Sequence, residues 1–192
     1  INDGKLVLSG NKQYCIIISP KFKYISSEIL LNTPMEITGD ETIGLAFRGY
    51  ADLDGGGTFS QSRANNIALT LPSSSRESII NLDISGNKNT GVYFEYDGSG
   101  VGTPTATTPF VIKNYTINID GKENTGVFAK DGVVTLGTGT ANEINLRSGK
   151  NNIGIFTAST DTITSAANIN VNSENSTAIY GKFSEISNNG TI

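Results

Sequence analysis

Histidine and tryptophan are absent from this chain of 192 residues, and cysteine and methionine occur once each. Without histidine, a Ser-His-Asp triad has no general base, and zinc sites lose one of their usual ligands. Cys15 has no partner for an internal disulfide, and a cysteine-based zinc site needs several such ligands. Within the apolar run YCIII we interpret Cys15 as a small buried hydrophobic residue. The sequence also lacks a glycine-rich phosphate-binding loop, so we expect no cofactor and no metal.

Basic charge and long apolar runs are scarce too. The chain carries 14 Lys and Arg against 18 Asp and Glu, a net charge of −4. A nucleic-acid surface needs a basic patch to neutralise phosphates, so we expect no nucleic-acid partner. No stretch approaches the ~18 apolar residues that would span a membrane, and we expect no membrane insertion of this segment. The sequence has no initiator Met and stops within a repeat-like stretch, so we expect a fragment of a longer protein.

What the chain does contain is typical of strands and turns. Glycine occurs 22 times, and Asn, Ser and Thr are also abundant. Hydrophobic residues make up 36%, below the usual share of about 45–50%. Those present are rich in Ile, Val, Phe and Tyr, which favour strands. The composition predicts an all-β protein with many turns.

One pattern recurs five times. Two apolar residues flank a variable one, a turn of Gly or Ser with polar residues follows, and then come Asn, Thr or Ser, a small anchor, an aliphatic residue and usually an aromatic one. The copies are MEITGDETIGLAF (35–47), LDISGNKNTGVYF (82–94), INIDGKENTGVFA (117–129), INLRSGKNNIGIFT (144–157) and INVNSENSTAIYG (169–181). A 20- to 50-residue period is the signature of stacked repeats.

The small anchors set the length of each repeat. They are Gly44, Gly91, Gly126, Gly154 and Ala178, and their spacing shortens from 47 to 24 residues. A spacing near 24 suits three short strands and three turns in each coil of a solenoid. We predict an all-β, right-handed parallel β-helix with inserted loops, a single domain over 1–192. Residues 1–34 are expected to be irregular or capping, tip-like strands, and 35–192 to form about five coils with inserts near 50–64 and 95–109.

Alternation within the second strand of each repeat gives two faces. Thr90 and Val92 share a face, and corresponding β-branched residues do so in the later copies. We assign that face to the interior, which places the small anchor and the following aromatic residue outside. The aromatic residues Tyr93, Phe128, Phe156 and Tyr180 would then form an external ladder. A period of two separates the two faces of a strand but does not say which face points to the interior, so the opposite assignment stays open.

The C-terminal repeats resemble a known family. NNIGIF and STAIYGKFSEISNNGTI are similar to the passenger repeats of fusobacterial-type large autotransporter adhesins, which use type V secretion. The match is close over 175–192, good over 142–181, looser over 80–129 and absent over 1–34, 48–79 and 95–113. The resemblance implies a β-helical stalk or tip displayed at the cell surface from an outer-membrane anchor. Implied partners are a host receptor, a host glycan or another bacterial surface, and it supplies no catalytic residue.

The two inserts are the predicted binding site. Loops longer than about 12–15 residues in a compact fold are often functional, and the two inserts come from successive coils. The candidate ligand-binding residues are Tyr50, Asp52, Asp54, Phe59, Arg63 and Tyr96. The aromatic ladder has two interpretations: a stacking surface for sugar rings or a protein, or a structural rib that stabilises neighbouring strands.

Two other functions are alternatives to adhesion by a monomer. A β-helical polysaccharide hydrolase or lyase would need a cluster of carboxylates in one groove. Its candidates are Asp52 and Asp54, which Arg48 and Arg63 flank, together with Asp83 and Asp120. A trimeric adhesin head would have shorter coils than the spacings of 24 and 28 residues. We expect an adhesin and not an enzyme.

Overall fold

The computed structural model describes residues 6–18, 34–49, 80–96, 110–112, 115–130, 134–136, 142–158, 162–182 and 184–192. All regular structure within these ranges is β, so the predicted all-β class is confirmed. The sixteen strands of the described ranges are β1 Leu6–Leu8, β2 Tyr14–Ile18, β3 Met35–Ile37, β4 Ile43–Gly49, β5 Ile80–Ile84, β6 Thr90–Tyr96, β7 Phe110–Ile112, β8 Tyr115–Ile119, β9 Thr125–Ala129, β10 Val134–Leu136, β11 Glu143–Leu146, β12 Ile153–Thr157, β13 Thr162–Ser165, β14 Asn168–Val171, β15 Thr177–Gly181 and β16 Glu185–Asn188. Across the same ranges, no helix of a length and apolarity that could cross a membrane is found.

The strands form three parallel sheets. Sheet A has the order β1-β3-β5-β8-β11-β14, sheet B has β2-β4-β6-β9-β12-β15 and sheet C has β7-β10-β13-β16. From β5 onward the chain visits sheets A, B and C in turn, and we call one such round a passage. Each strand therefore pairs with the equivalent strand of the next passage, and like residues lie side by side.

Sheet A follows the predicted alternation. Ile117 and Ile119 of β8 are buried, while Asn118 between them is only half-buried. In β11, Ile144 and Leu146 lie directly beside Ile117 and Ile119 in parallel register. The apolar core consists of such rows, which are Leu8, Met35, Ile37, Leu45, Leu82, Ile84, Val92, Phe94, Tyr115, Ile117, Ile119, Val127, Ala129, Val134, Leu136, Ile144, Leu146, Ile155, Ile163, Ala167 and Ile169.

In sheet B the structure corrects one part of the predicted inner and outer faces, the position of the small anchor residue. Gly126 and Val127 are consecutive in β9 and both are buried, whereas Phe128 is half-buried. A Cβ on Gly126 would lie 3.1 Å from Ile119 Cδ1, a core side chain, and 2.7 Å from the carbonyl oxygen of Gly154. The small anchor therefore faces the core, and its predicted outward placement is wrong. Glycine is needed there because sheet A side chains and the next backbone leave no room for a Cβ.

Several regions assigned from the sequence lie partly outside the described residues. β1 and β2 extend sheets A and B within the segment 1–34, whereas 19–33 is not described. Residues 50–79 and 97–109, which contain nearly all of the two inserts, are also outside the description. Cys15 belongs to β2, but its side chain lies outside the described features, so its burial stays a prediction.

Candidate functional site

The loop site predicted from the sequence stays a prediction. Five of its residues, Tyr50, Asp52, Asp54, Phe59 and Arg63, lie outside the described part of the chain. Tyr96 is the last residue of β6, where it pairs in register with Gly49 of β4. The structure describes the backbone at Tyr96 and at Arg48 in β4, but not their side chains.

The four aromatic residues form one continuous row. Tyr93, Phe128, Phe156 and Tyr180 are register partners in successive strands of sheet B. Adjacent ring centroids lie 5.4, 4.7 and 5.3 Å apart along the row. The row lies on the outer face, since its neighbours Val127 and Ala129 are fully buried. Tyr93 is 9% exposed and Tyr180 is 49% exposed, so the row becomes more accessible towards β15.

Ring orientation limits what this row can bind. Phe128 and Phe156 are stacked with an interplanar angle of 14°, so their faces cover each other. A sugar ring stacks on the face of an aromatic ring, because the face carries the negative π-density. The inner rings therefore present mainly edges to solvent and support a structural role. Tyr180 differs, since its ring is tilted by 51° from Phe156 and half of its surface is accessible.

The Asn of the recurring NTGV motif forms a second, buried row. Asn89, Asn124 and Asn152 are each almost fully buried in the turn between sheets A and B. The backbone N–H of Asn89 donates to Asn124 Oδ1 at 2.8 Å, and the N–H of Asn124 donates to Asn152 Oδ1 at 3.0 Å. Thr42 N–H donates to Asn89 Oδ1 at one end, and Asn152 N–H donates to Ser176 Oγ at the other. Each side chain thus satisfies a buried backbone donor of the preceding passage.

The side-chain amide nitrogens of this buried row, which we call the Asn ladder, are also hydrogen-bonded. Asn124 Nδ2 donates to the carbonyl oxygens of Gly86 and Asp120, both at 2.7 Å. Asn152 Nδ2 donates in the same way to the carbonyl oxygens of Gly121 and Ser148. The recurring sequence pattern places this Asn directly after the turn but does not show that its side chain joins successive turns. Its recurrence at one position of the motif, 35 and then 28 residues apart, is the signal that could have revealed stacked amides.

The same turns contain a row of residues with positive φ. Each such residue immediately precedes a ladder residue, and its φ lies between 48° and 58°. They are Lys12, Glu41, Lys88, Glu123, Asn151 and Asn175. Lys12 lies 3.7 Å from Glu41 and Lys88 lies 4.0 Å from Glu123, so charges of opposite sign alternate along the first four positions of the row. Little in the sequence predicts this row, because Lys and Glu rarely adopt that conformation.

A third row runs along the outer face of sheet A. Asn118 Nδ2 donates to Asp83 Oδ1 at 2.9 Å, and Asn145 Nδ2 donates to Asn118 Oδ1 at 3.0 Å. Asn170 Nδ2 donates to Asn145 Oδ1 at 2.7 Å. The amides point in one direction and end on a carboxylate, an arrangement in which successive hydrogen bonds strengthen one another.

Two of the acidic residues considered for catalysis meet at one arginine. Arg147 Nη2 contacts Asp120 Oδ2 closely and lies 3.7 Å from Asp83 Oδ1. Ser148 Oγ donates to Asp120 Oδ1 at 2.7 Å. Partial burial raises the pKa of Asp120, but the hydrogen bonds from Arg147 and Ser148 outweigh it and hold that pKa below its usual value. A general acid needs a raised pKa, so Asp120 is better suited to an ion pair than to proton donation.

Neither metal-binding groups in the described ranges nor known relatives identify a further site. Within the described ranges, no three His, Cys, Asp or Glu side chains are grouped so as to hold a metal ion. No protein-family model matches the chain, and neither a curated protein nor a solved structure matches it.

Proposed function

We propose that the three parallel sheets are the faces of a right-handed parallel β-helix. The cyclic order of sheets A, B and C from β5 to β16 supports this, because each passage then stacks on the preceding one. The rows of Asn and aromatic side chains run through successive passages and provide the contacts expected of such stacking. The handedness rests on the strong preference of parallel crossover connections for the right hand.

We propose that this β-helix is part of the passenger of a bacterial surface autotransporter and acts as an adhesin. The observation that carries the proposal is the Asn-x-Gly-aliphatic-aromatic motif, whose stacked turns give the repetition that the resemblance implies. Function then resides in binding at the cell surface and not in catalysis. The partner is a host receptor, a host glycan or another bacterial surface, and many weak contacts along the array would add through multivalency.

The two inserts are the proposed recognition elements of this adhesin. In the rows on the outer faces of sheets A and B, most side chains contact their neighbours in the same row. Asn118 accepts a hydrogen bond from Asn145 on sheet A, and Phe128 stacks on Phe156 on sheet B. Such surfaces have few unused donors or ring faces for a ligand. The insert segments within 50–64 and 95–109, which carry Asp52, Asp54 and Tyr96, are therefore the better candidates.

Binding of a glycan array and of a receptor-bearing cell extract tests this proposal. The intact chain is compared with one variant lacking 52–62 and another lacking 97–107. We expect the intact chain to bind and at least one deletion to lose most of the binding. A matched control is Tyr180→Ala, which removes the most accessible ring of the aromatic row and leaves both inserts in place. Equal binding by the intact chain and both deletion variants would refute the role of the inserts.

A further inference from the structure

The chain passes from sheet C to sheet A through a corner that recurs along the molecule. One corner lies between β13 and β14, and the chain repeats it after β16. Ser165 and Asn188 are register partners at the ends of these two sheet C strands, and the N–H of Asn189 donates to the carbonyl oxygen of Ser165 at 2.8 Å. The residues that stack in the two corners are therefore Ala166 with Asn189 and Ala167 with Gly190.

Asn189 is the only asparagine of the sequence that a glycine follows. Asparagine is chemically labile, because the backbone nitrogen of the next residue can attack the carbonyl carbon of its side chain. A side chain on that next residue obstructs the attack, and glycine has none. The pair of Asn189 and Gly190 is therefore the least hindered context for this reaction in the chain.

The nitrogen that would attack is not held by a hydrogen bond. At the equivalent position of the first corner, the N–H of Ala167 donates to Ser165 Oγ of its own passage at 3.1 Å. Asn188 stands in place of that serine in the second corner, and its side-chain nitrogen donates to the carbonyl oxygen of Gly190 at 3.3 Å. Within the described ranges, no group accepts a hydrogen bond from the N–H of Gly190, and Asn188 Oδ1 has no partner either.

The side chain of Asn189 is also accessible. It is exposed, and it occupies the position of Ala166, which is only half-buried between neighbouring passages. The adjacent Asn188 differs, because the nitrogen that would attack its side chain belongs to Asn189 and donates to Ser165. In the Asn ladder, the backbone N–H that follows Asn124 is likewise hydrogen-bonded to the preceding turn. Asn189 thus combines an accessible amide with an attacking N–H that has no acceptor among the described residues.

We propose that Asn189 is a site of spontaneous deamidation in the folded protein. The nitrogen of Gly190 loses its proton to hydroxide and bonds to Cγ of Asn189. The bond between Cγ and the side-chain nitrogen breaks, and the nitrogen leaves as ammonia after taking a proton from water. Water then opens the resulting succinimide ring and leaves either aspartate or isoaspartate. No group is oxidised or reduced, and the corner gains one negative charge.

Isoaspartate changes this corner more than aspartate does, because it adds one carbon atom to the backbone before Gly190. Gly190 packs so closely that a Cβ there would lie 2.0 Å from the carbonyl oxygen of Ala167. Next to it, Thr191 donates to Asn168 Oδ1 through its N–H at 3.1 Å and through its hydroxyl at 2.9 Å. A longer backbone displaces both residues, so the modification loosens the stacking of the corner.

Peptide mapping of the folded chain after storage at mildly alkaline pH tests the proposal. The tryptic peptide that follows Lys182 contains both Asn188 and Asn189, and fragmentation in the mass spectrometer distinguishes them. We expect Asn189 to lose its amide faster than any other asparagine of the described ranges. The rate should rise with pH, because the attacking nitrogen must lose its proton, and an isoaspartyl methyltransferase should label part of the product. A rate at Asn189 no higher than that at Asn188 overturns the proposal.

Two variants test the chemistry and the role of the unheld N–H. Asn189→Gln keeps a side-chain amide but closes a larger ring, so it should abolish the fast loss of ammonia. Asn188→Ser restores the hydroxyl that holds the equivalent N–H in the first corner, so it should slow deamidation of Asn189 in the folded chain. In urea, Asn188→Ser and the unmodified chain should react at the same rate. Circular dichroism checks that each variant is folded before storage.

The outcomes of these comparisons are distinct. Slower reaction of Asn188→Ser in buffer alone supports control by the hydrogen bond at the corner. Equal rates for Asn188→Ser and the unmodified chain in buffer, or equal slowing in urea, overturn that control. Fast ammonia release that persists in Asn189→Gln overturns the assignment to Asn189. If Asn188→Ser does not fold, the comparison of Asn189 with Asn188 in the unmodified chain still decides the proposal.

Discussion

Asn124 shows how one side chain can hold two passages together. Replacing it with alanine leaves the N–H of Asn89 and the carbonyl oxygens of Gly86 and Asp120 without their partner in a buried turn. An unsatisfied buried polar group costs about 1–3 kcal/mol, so we expect Asn124→Ala to lower the free energy of unfolding by about 3–5 kcal/mol. Urea denaturation measures this loss as a lower midpoint at an unchanged m-value.

Asn118 provides the matched control for that substitution. It is also an amide in a row, but it is half-buried on the outer face of sheet A, where water can replace its partners. We expect Asn118→Ala to cost about 1 kcal/mol or less. Equal losses for the two alanine variants would show that the buried row has no special structural role.

Tyr115 gives a second prediction at this scale, through its ionisation. It is almost fully buried at the start of β8, and burial raises the pKa of its hydroxyl well above the usual value, although Ser165 lowers it slightly. Above pH ~10 the unfolded chain ionises at this residue while the folded chain keeps the proton. Unfolding then releases a proton, so stability is intact below pH ~10 and falls as the pH rises, by up to about 1.4 kcal/mol per unit.

Comparison with Tyr115→Phe isolates this effect from other groups that titrate in the same range. The hydroxyl makes a long contact of 3.5 Å with the carbonyl oxygen of Leu136 and a hydrogen bond with Ser165. We therefore expect the variant to lose only about 1 kcal/mol of stability at neutral pH. Between pH 10 and 11 the phenylalanine variant should lose less stability than the original chain. Parallel pH profiles in urea unfolding would contradict the assignment.

Strand register yields a prediction at the scale of elements. Asn118 and Asn145 are register partners in β8 and β11, and parallel neighbours lie ~4.8 Å apart, within the Cα range of a disulfide. In a Cys15→Ala background, we expect Asn118→Cys with Asn145→Cys to form a disulfide on oxidation. Thiol titration and mass spectrometry of peptides detect it. Asn118→Cys with Asn170→Cys is the control, since β14 lies one strand further away, and its oxidation within one chain would contradict the register.

The turns between sheets A and B yield another prediction. Gly149 has φ of 83°, and a Cβ there would lie 1.6 Å from the carbonyl oxygen of Gly121 in the stacked turn. The Cβ fits only if the backbones of the two turns move apart. We therefore expect Gly149→Ala to lower the free energy of unfolding by about 3 kcal/mol or more. Gly10 begins the equivalent turn, but its nearest obstacle is the flexible end of Gln13. Thermal unfolding should show a much smaller loss for Gly10→Ala than for Gly149→Ala.

Particular residues show which features of these elements the sequence could reveal. Ile117, Asn118 and Ile119 alternate in polarity, and their strand, its buried face and its parallel neighbours follow from that pattern. Gly126 breaks the alternation, because it and Val127 are consecutive and both are buried. Strict alternation cannot place two consecutive residues on one face, so a period of two assigned Gly126 to the wrong face.

The candidate site was less accessible to sequence reasoning than the fold. The aromatic row could be found because Phe128 and Phe156 recur at one position, but the mutual stacking of their faces depends on side-chain torsions. The contact of Arg147 with both Asp83 and Asp120 joins three passages, and no local pattern specifies it. The insert residues, including Asp52 and Tyr96, lack a repeat that could constrain their position.

At the scale of the whole molecule, the proposed β-helix is a one-dimensional array, so local stability should vary along its length. Each passage contacts only its neighbours, and a terminal passage has one neighbour fewer. The interior residues Ile119, Ile144 and Ile155 are fully buried, whereas Val171 is 38% exposed. We expect amides of β8, β9, β11 and β12 to exchange with solvent deuterium much more slowly than those of β14, β15 and β16. Hydrogen exchange followed by mass spectrometry on a dilute sample measures this gradient.

The difference between the interior strands and the outermost described strands is the result that decides this prediction. Uniform protection from β8 to β16 would argue against a linear array with weaker ends.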